Sequence, residues 1–475
     1  MKMKQKLYQE VVHEISNLIA EGTLAGGTKI PSVRMLKEKM HVSISTVIKA
    51  YSILEAQGLI EARSKSGYFV RYGAQSETLP QSPLLSKSAT PLCVSDFINL
   101  VLHPDHKIEG ASFSIASPNA KLLPAKSLNR ELLVSARLAA EKGLDYSELA
   151  GSLLLRKQLS MRSIAWGKRL KAEEFIITTG AIDALSLALR AVTKPGDKIA
   201  VESPTYFGIL QLVEVLQLKV IEVPVRVKEG PDLEALLQII KSNKIATFIT
   251  IPNFQNPLGS LMSDKNKKRL IEISVEYDLP IIEDDIYSDL HFDGPRPKTL
   301  KSFDKHGLVI LCSSISKTLA PGYRVGWISP GKYITQVESL KIALSGKTPT
   351  LTQLAVARFM QSGAFDRHLK KIRKIFKYSV FKMSEAILKY FPSGTKISQP
   401  KGGFILWVEL SPKINTLTLQ QEALKHHIGI APGQIFSARK QFHHYVRMSC
   451  GHEWTSDNEI AIKCLGSLIL KQLSL

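Results

Sequence analysis

One lysine sits where its amine could do chemistry. In Ser313-Ser314-Ile315-Ser316-Lys317-Thr318-Leu319-Ala320-Pro321-Gly322-Tyr323-Arg324-Val325-Gly326-Trp327, small hydroxyl residues flank Lys317, and a Pro-Gly turn delivers Arg324 seven residues later. A desolvated lysine loses its proton readily, and only the free amine attacks an aldehyde. The chemistry that fits is a Schiff base at Lys317 with pyridoxal 5'-phosphate (PLP), with Ser314 and Arg324 on the phosphate. An ordinary polar turn on a basic protein fits the stretch equally well, so other residues must decide.

Four upstream clusters offer complementary groups. Thr178-Thr179-Gly180-Ala181-Ile182-Asp183 turns from an apolar run into a helix, a phosphate seat if the backbone amides face a ligand. Glu202-Ser203-Pro204-Thr205-Tyr206 presents a ring that could stack on a heterocycle or simply pack. Pro252-Asn253-Phe254-Gln255-Asn256-Pro257 is a polar turn after a very apolar run. Glu283-Asp284-Asp285-Ile286-Tyr287 places carboxylates at the end of another, where they need a cation or a changed pKa.

These clusters require strands to position them. Apolar runs at 175–179, 198–201, 246–251, 280–284 and 309–311 alternate with helical segments. Such alternation predicts an α/β body with a buried, mostly parallel sheet, whose functional residues lie where strands end.

The N-terminal segment follows another pattern. Val11, Val12, Ile15, Leu18 and Ile19 repeat at helical spacing, Ser32 caps a second short helix, and a third runs from Ile44 to about Gln57. Runs at 58–63 and 67–70 predict two strands around a polar turn, completing a winged helix-turn-helix. Residues 1–73 carry eleven Lys or Arg against six Asp or Glu. Residues 74–110 are rich in Ser, Thr and Pro and predict an extended linker between moving bodies, with a short helix near 96–102.

Two resemblances follow from these residues. Ile30-Pro31-Ser32-Val33-Arg34, Val42-Ser43-Ile44-Ser45-Thr46-Val47 and Glu55-Ala56-Gln57-Gly58-Leu59-Ile60 resemble the GntR-type DNA-binding domain over 1–73. That resemblance implies that Arg34, Ser43, Ser45, Thr46, Lys49, Arg63 and Gly67 face double-stranded operator DNA. Ile44 stands where this family usually has Arg, and Lys65 where the wing usually has a second glycine, which puts the operator sequence in question. From 111 to 475 the order of motifs resembles a fold-type I, class I aminotransferase with a large domain and a small α+β domain. It implies that Asp284 pairs with the PLP ring nitrogen, Asn256 and Tyr287 bond the ring hydroxyl, and Tyr206 stacks on the ring. Lys317 would form the internal aldimine, with Gly180, Ala181, Ile182, Ser314 and Arg324 on the phosphate. Tyr146 would reach over from a partner subunit, and Arg447 would hold a ligand carboxylate. Ile182 replaces a frequent Gln and offers only backbone, and Ser127–Arg130 lacks an aromatic common nearby.

Together the two halves resemble the MocR subfamily of GntR transcriptional regulators. This implies a PLP-dependent regulator that senses an amino acid, an amine or PLP itself through an aldimine at Lys317, working as a head-to-tail homodimer. The alternative is an active aminotransferase with an accessory DNA-binding domain, because every residue for transamination is present; whether the chain is an enzyme stays open.

Composition sets the outer bounds. The 475 residues, 44% hydrophobic, allow about three domains with sizeable cores. The formal charge of +21 favours a polyanion partner. Cys93, Cys312, Cys450 and Cys464 lack the paired spacing of zinc or redox sites, so no metal is expected. Neither a signal peptide nor a membrane-spanning run is evident, and the expected location is cytoplasmic.

Overall fold

The structure, a computed structural model, describes residues 7–21, 23–24, 26–56, 58–63, 66–71, 79–81, 88–91, 94–102, 110–146 and 148–474. Its N-terminal unit has helices Leu7–Ala20, Val33–Met40 and Ile44–Ala56 and an antiparallel hairpin, Ile60–Arg63 with Gly67–Val70. Local chemistry sets the boundaries. Ser32 Oγ accepts the Met35 N–H at 3.2 Å, capping the second helix, and His41 ends it at φ 53°. Val11, Ile15, Leu36, Val47, Tyr51, Leu54 and Ile60 close one small core. The winged helix-turn-helix expected from the periodicity is what forms.

In the larger body, the central sheet runs in the order Thr90–Pro91, Lys219–Arg226, Lys198–Ser203, Phe248–Thr250, Ile281–Asp284, Val309–Ser314, Gly326–Ser329 and Ile176–Thr178. The four contacts from Lys219–Arg226 through Val309–Ser314 are parallel. The outer ones, with Gly326–Ser329, Ile176–Thr178 and Thr90–Pro91, are antiparallel. Buried strands of this kind bury both faces. Ile199 and Val201 join one hydrophobic layer while Ala200 faces another with Leu236 and Leu270. The strand Lys219–Arg226 escapes the apolar pattern because Glu222 interrupts it. That carboxylate is buried and accepts from Ser203 Oγ, Ser437 Oγ and the Ala438 N–H at 2.9–3.0 Å. A second sheet, Lys396–Ile397, Ile405–Glu409, Tyr445–Ser449 and Ala431–Pro432, is wholly antiparallel and packs under helices Ala364–Tyr390 and Ser456–Leu473. A large domain with a mostly parallel sheet and a small α+β domain are both present.

The connecting stretch departs from the expectation of a free tether. Gln81 N donates to Glu409 Oε2 at 2.7 Å, and Thr90–Pro91 extends the central sheet. Glu214 Oε2 accepts Val94 N, Ser95 N and Ser95 Oγ at 2.8–2.9 Å, serving as an external cap for the helix Ser95–Leu102. Val94 and Ile98 are buried beneath it. The described parts of 74–110 therefore lie against the body. Composition could not show this, because the anchoring carboxylates are 120 and 328 positions away. Glu214→Ala removes a cap, a loss of the order of 1 kcal/mol, and is expected to raise proteolytic cleavage within 88–102 about fivefold. Timed digestion with mass mapping checks it; unchanged cleavage would mean that the carboxylate does not hold the segment.

Candidate functional site

The carboxyl ends of the parallel strands converge on a cavity of about 120 Å³. It is lined by Ala181, Ile182, Tyr206, Asn256, Asp284, Tyr287, Ser314, Lys317 and Arg324, which the sequence singled out from five separate segments. Gly180 stands directly behind this wall. It caps the Ala181–Val192 helix at φ 89°, a conformation that favours glycine. A Cβ there would lie 2.5 Å from Arg324 Nη2. Arg324 Nη2 also donates to Thr179 O at 3.1 Å, so the guanidinium and the helix start form one positive corner.

Across the cavity stands Asp284. Burial, and then the neighbouring Asp285, push its carboxyl up to about 7, with Lys317 opposing the shift. Its Oδ1 is buried without a hydrogen-bond partner in the structure. Asp285 points away, engaged by Ser288, Arg296 and Asn253. The first carboxylate thus serves the cavity and the second the scaffold. Lys317 is pushed down to about 8, chiefly by burial and then by Arg447, against the pull of Asp284. A fraction of its amine is consequently free at neutral pH. Burial raises the Tyr287 phenol, opposed by Arg447 and by a hydrogen bond with Asn256.

A buried scaffold fixes these groups. Glu202, pushed up to about 7 mainly by burial, accepts from Thr250 Oγ1 at 2.5 Å, Ile251 N at 3.2 Å and Gln255 Nε2 at 3.0 Å. Gln255 Nε2 donates in turn to Pro204 O at 2.7 Å, tying the Tyr206 loop to the Asn256 turn.

Arg447, on the strand Tyr445–Ser449, is 1% exposed and lies behind Asn256, with Nη1 3.5 Å from Asn256 Oδ1. Its Nη2 donates to Ser114 O, and Lys317 Nζ donates to Ala116 O at 2.5 Å. The sequence reading did not include these two carbonyls, since a backbone oxygen leaves no mark on residue type. It also missed Gly326, whose Cβ would meet Gly180 at 2.5 Å. Tyr146 is not brought to this cavity. It is 81% exposed, with Lys347 Nζ 5.1 Å from its ring centre.

On the N-terminal unit, Arg34, Ser43, Ser45, Lys49, Arg63 and Gly67 are exposed and Thr46 is half-buried. Ser43 Oγ accepts the Thr46 N–H at 3.1 Å and meets Ser45 Oγ and Thr46 Oγ1 at 2.8 and 2.7 Å. Lys49 Nζ sits 4.5 Å from the Tyr8 ring centre, while Arg63 pairs with Glu61 at 2.7 Å and lies over Phe69. Arg71 stacks on Phe381 of the body at 4.0 Å. Among the described residues, no helix is long and apolar enough to cross a membrane, and no cluster of His, Cys, Asp and Glu could hold a metal.

Comparison with known proteins agrees with both halves. The family model "Bacterial regulatory proteins, gntR family" matches residues 7–70, and "Aminotransferase class I and II" matches 121–463. The uncharacterized HTH-type transcriptional regulator YjiR of Escherichia coli is 35% identical over 471 residues, covering 98% of this chain and 99% of that protein. The crystal structure of Pyrococcus horikoshii kynurenine aminotransferase superposes with a TM-score of 0.74 at 29% identity, over 80% of this chain and 96% of that one. That of LysN, the alpha-aminoadipate aminotransferase of Thermus thermophilus, complexed with N-(5'-phosphopyridoxyl)-L-leucine, gives 0.72 at 26% identity, over 78% and 97%.

Three outcomes follow from the cavity. Covalent labelling of Lys317 by an amine-selective reagent is expected to be half-maximal near pH 8, because the free amine accumulates as pH rises through the lowered pKa. Asp284→Asn should move that midpoint lower, since the opposing negative charge is gone; peptide mass spectrometry across a pH series reads both. Gly180→Ala should displace Arg324 and weaken binding of a phosphate-bearing probe by about tenfold or more, the equivalent of one lost charge-assisted hydrogen bond.

Proposed function

The chain belongs to the MocR-type transcriptional regulators, in which a GntR helix-turn-helix reader is joined to an aminotransferase class I and II body, and on that premise we propose that the body binds PLP and an amino-containing ligand to control the reader's hold on operator DNA. The observation that carries this reading is the buried, unpartnered Asp284 Oδ1 in the cavity it shares with Lys317 and Arg324, with Gly180 set behind Arg324. A protonated ring nitrogen would supply the cation that the buried carboxylate needs. Bound PLP would supply an aldehyde that condenses with amines and a ring that withdraws electrons from the carbon beside them.

The chain's own residues do the rest. Arg324, Ser314 and the amides at the start of the Ala181–Val192 helix would hold the phosphate. Asn256 and Tyr287 would bond the ring hydroxyl, and Tyr206 would cover a ring face. Lys317, with its lowered pKa, presents the free amine and can later carry a proton. Arg447 would take a ligand carboxylate bidentately. That carboxylate would meet a guanidinium whose Nη2 already donates to Ser114 O, in the segment leading back to the reader. Ala111–Ser112 of this segment pairs with Ile428–Gly429 of the small domain, which gives the ligand a mechanical route toward the linker.

The same reading assigns a second copy of the chain as partner, in a head-to-tail dimer. Leu138, Leu144 and Tyr146 are 70, 90 and 81% exposed, an apolar surface that a second copy would cover, bringing Tyr146 to that copy's cavity. Catalytic transamination is the second reading, favoured by the completeness of the cavity and its likeness to solved aminotransferases.

Absorption spectroscopy of the full chain with added PLP is expected to show a visible band that Lys317→Ala lacks. Arg447→Ala should keep the band but lose at least about tenfold in affinity for amino acids, as expected for a buried charged contact. Amino-acid addition should change operator affinity in the wild type and not in Arg447→Ala. Rapid turnover of an amino acid and a 2-oxo acid, without any sequence-specific DNA binding, would establish the enzyme reading instead.

A further inference from the structure

The geometry points to Ile44 and Ile48 as readers of thymine methyl groups in the major groove, and we infer that the operator carries thymines opposite the start of the recognition helix. The inference rests on the regulator reading and specifies what the reader recognises. Ile44 opens the helix Ile44–Ala56, and Ile48 lies one turn later on the same face. They are 45% and 50% exposed, while Val47, Ala50, Tyr51 and Leu54 form the helix's fully buried side. Neither isoleucine belongs to the reader's core.

The surrounding polar groups are already engaged. Ser43 caps the helix and meets the Ser45 and Thr46 hydroxyls, and the Lys49 ammonium rests over Tyr8. The largest apolar groups that the helix start turns outward are therefore two branched hydrocarbons. The N-terminal residues of the second helix in a helix-turn-helix are the ones that touch base edges. Isoleucine has no donor or acceptor and cannot pair with guanine N7 and O6, adenine N7 and N6, or cytosine N4. The thymine C5-methyl is the apolar group that the major groove offers. An arginine at position 44 would instead select guanine.

Charge identifies the occupant of this surface as DNA. Arg34, Lys37 and Lys39 are exposed on the preceding helix, and residues 1–73 hold eleven basic residues against six acidic. An apolar pair framed by cations fits a methyl-bearing groove between phosphate rows. A second reader, equally basic, would be repelled from the same face.

Full-length protein should be used to select duplexes from a randomised pool, and the tightest duplex remade with deoxyuridine in place of each thymidine in turn. That exchange removes one methyl and alters nothing in the protein. One or two positions are expected to lose about three- to fivefold in affinity, the worth of a buried methyl. Those losses should vanish in a chain carrying Ile44→Ala and Ile48→Ala, and Ile44→Arg should select guanine at the affected position. Equal affinity for every uracil duplex overturns the inference. So does a double-alanine chain that keeps the same uracil penalties, or one that loses self-association without DNA while its duplex preference stays unchanged. A wild-type chain that selects no sequence from the pool overturns the regulator reading and the inference with it.

Discussion

A carboxyl group at the end of a buried parallel strand sets the terms for the body of this protein. Asp284 is buried with Oδ1 unpartnered, and its charged form is held back by burial and by Asp285. Everything around it addresses that imbalance. Lys317 stands close enough for each group to shift the other's proton affinity. Asp285 is drawn off by Arg296, so the like charge beside Asp284 is at least shared. Glu202 fixes the two loops whose side chains would flank a ring placed against Asp284. Preorganisation of this kind costs folding stability, and its return is a site that need not rearrange when a cation arrives.

The parts that could be foreseen from the residues share one property: the side chain itself carries the signal. Lysine, aspartate and arginine at the ends of apolar runs are conspicuous, and Lys317, Asp284 and Arg324 do line one cavity, with Arg447 behind it. The reader was equally plain, because Val47, Tyr51 and Leu54 repeat at helical spacing and are buried together. Where backbone atoms do the work, the residues were silent. Ser114 and Ala116 act through carbonyls, and Gly326 acts by lacking a side chain beside Gly180. The strand containing Glu222 was hidden because its buried carboxylate is satisfied by partners more than two hundred residues on. The Ser- and Pro-rich stretch misled for the same reason: its anchors, Glu214 and Glu409, belong to distant segments.

Reader and body are joined by more than chain continuity. Arg71, at the end of the wing, stacks on Phe381 of the long helix Ala364–Tyr390, and Glu61 and Arg63 share a cleft with Lys382 and Glu385 of that helix. The same helix packs against the C-terminal helix of the small domain. The wing thus meets the small domain through a packed aromatic–guanidinium contact as well as through the linker.

The segment around Ser114 to Ala116 gives the molecule a simple logic. One bond ties it to Arg447 and another ties it to Lys317, two cationic side chains from different domains. Diverting the lysine leaves the arginine tether, and diverting the arginine leaves the lysine tether. Either release leaves the run in place, because the Phe113 N–H donates to Gly429 O and Phe113 O accepts the Ser449 N–H, both at 2.8 Å. Two side-chain charges thus share one short run of backbone, and any shift of that run reaches both at once.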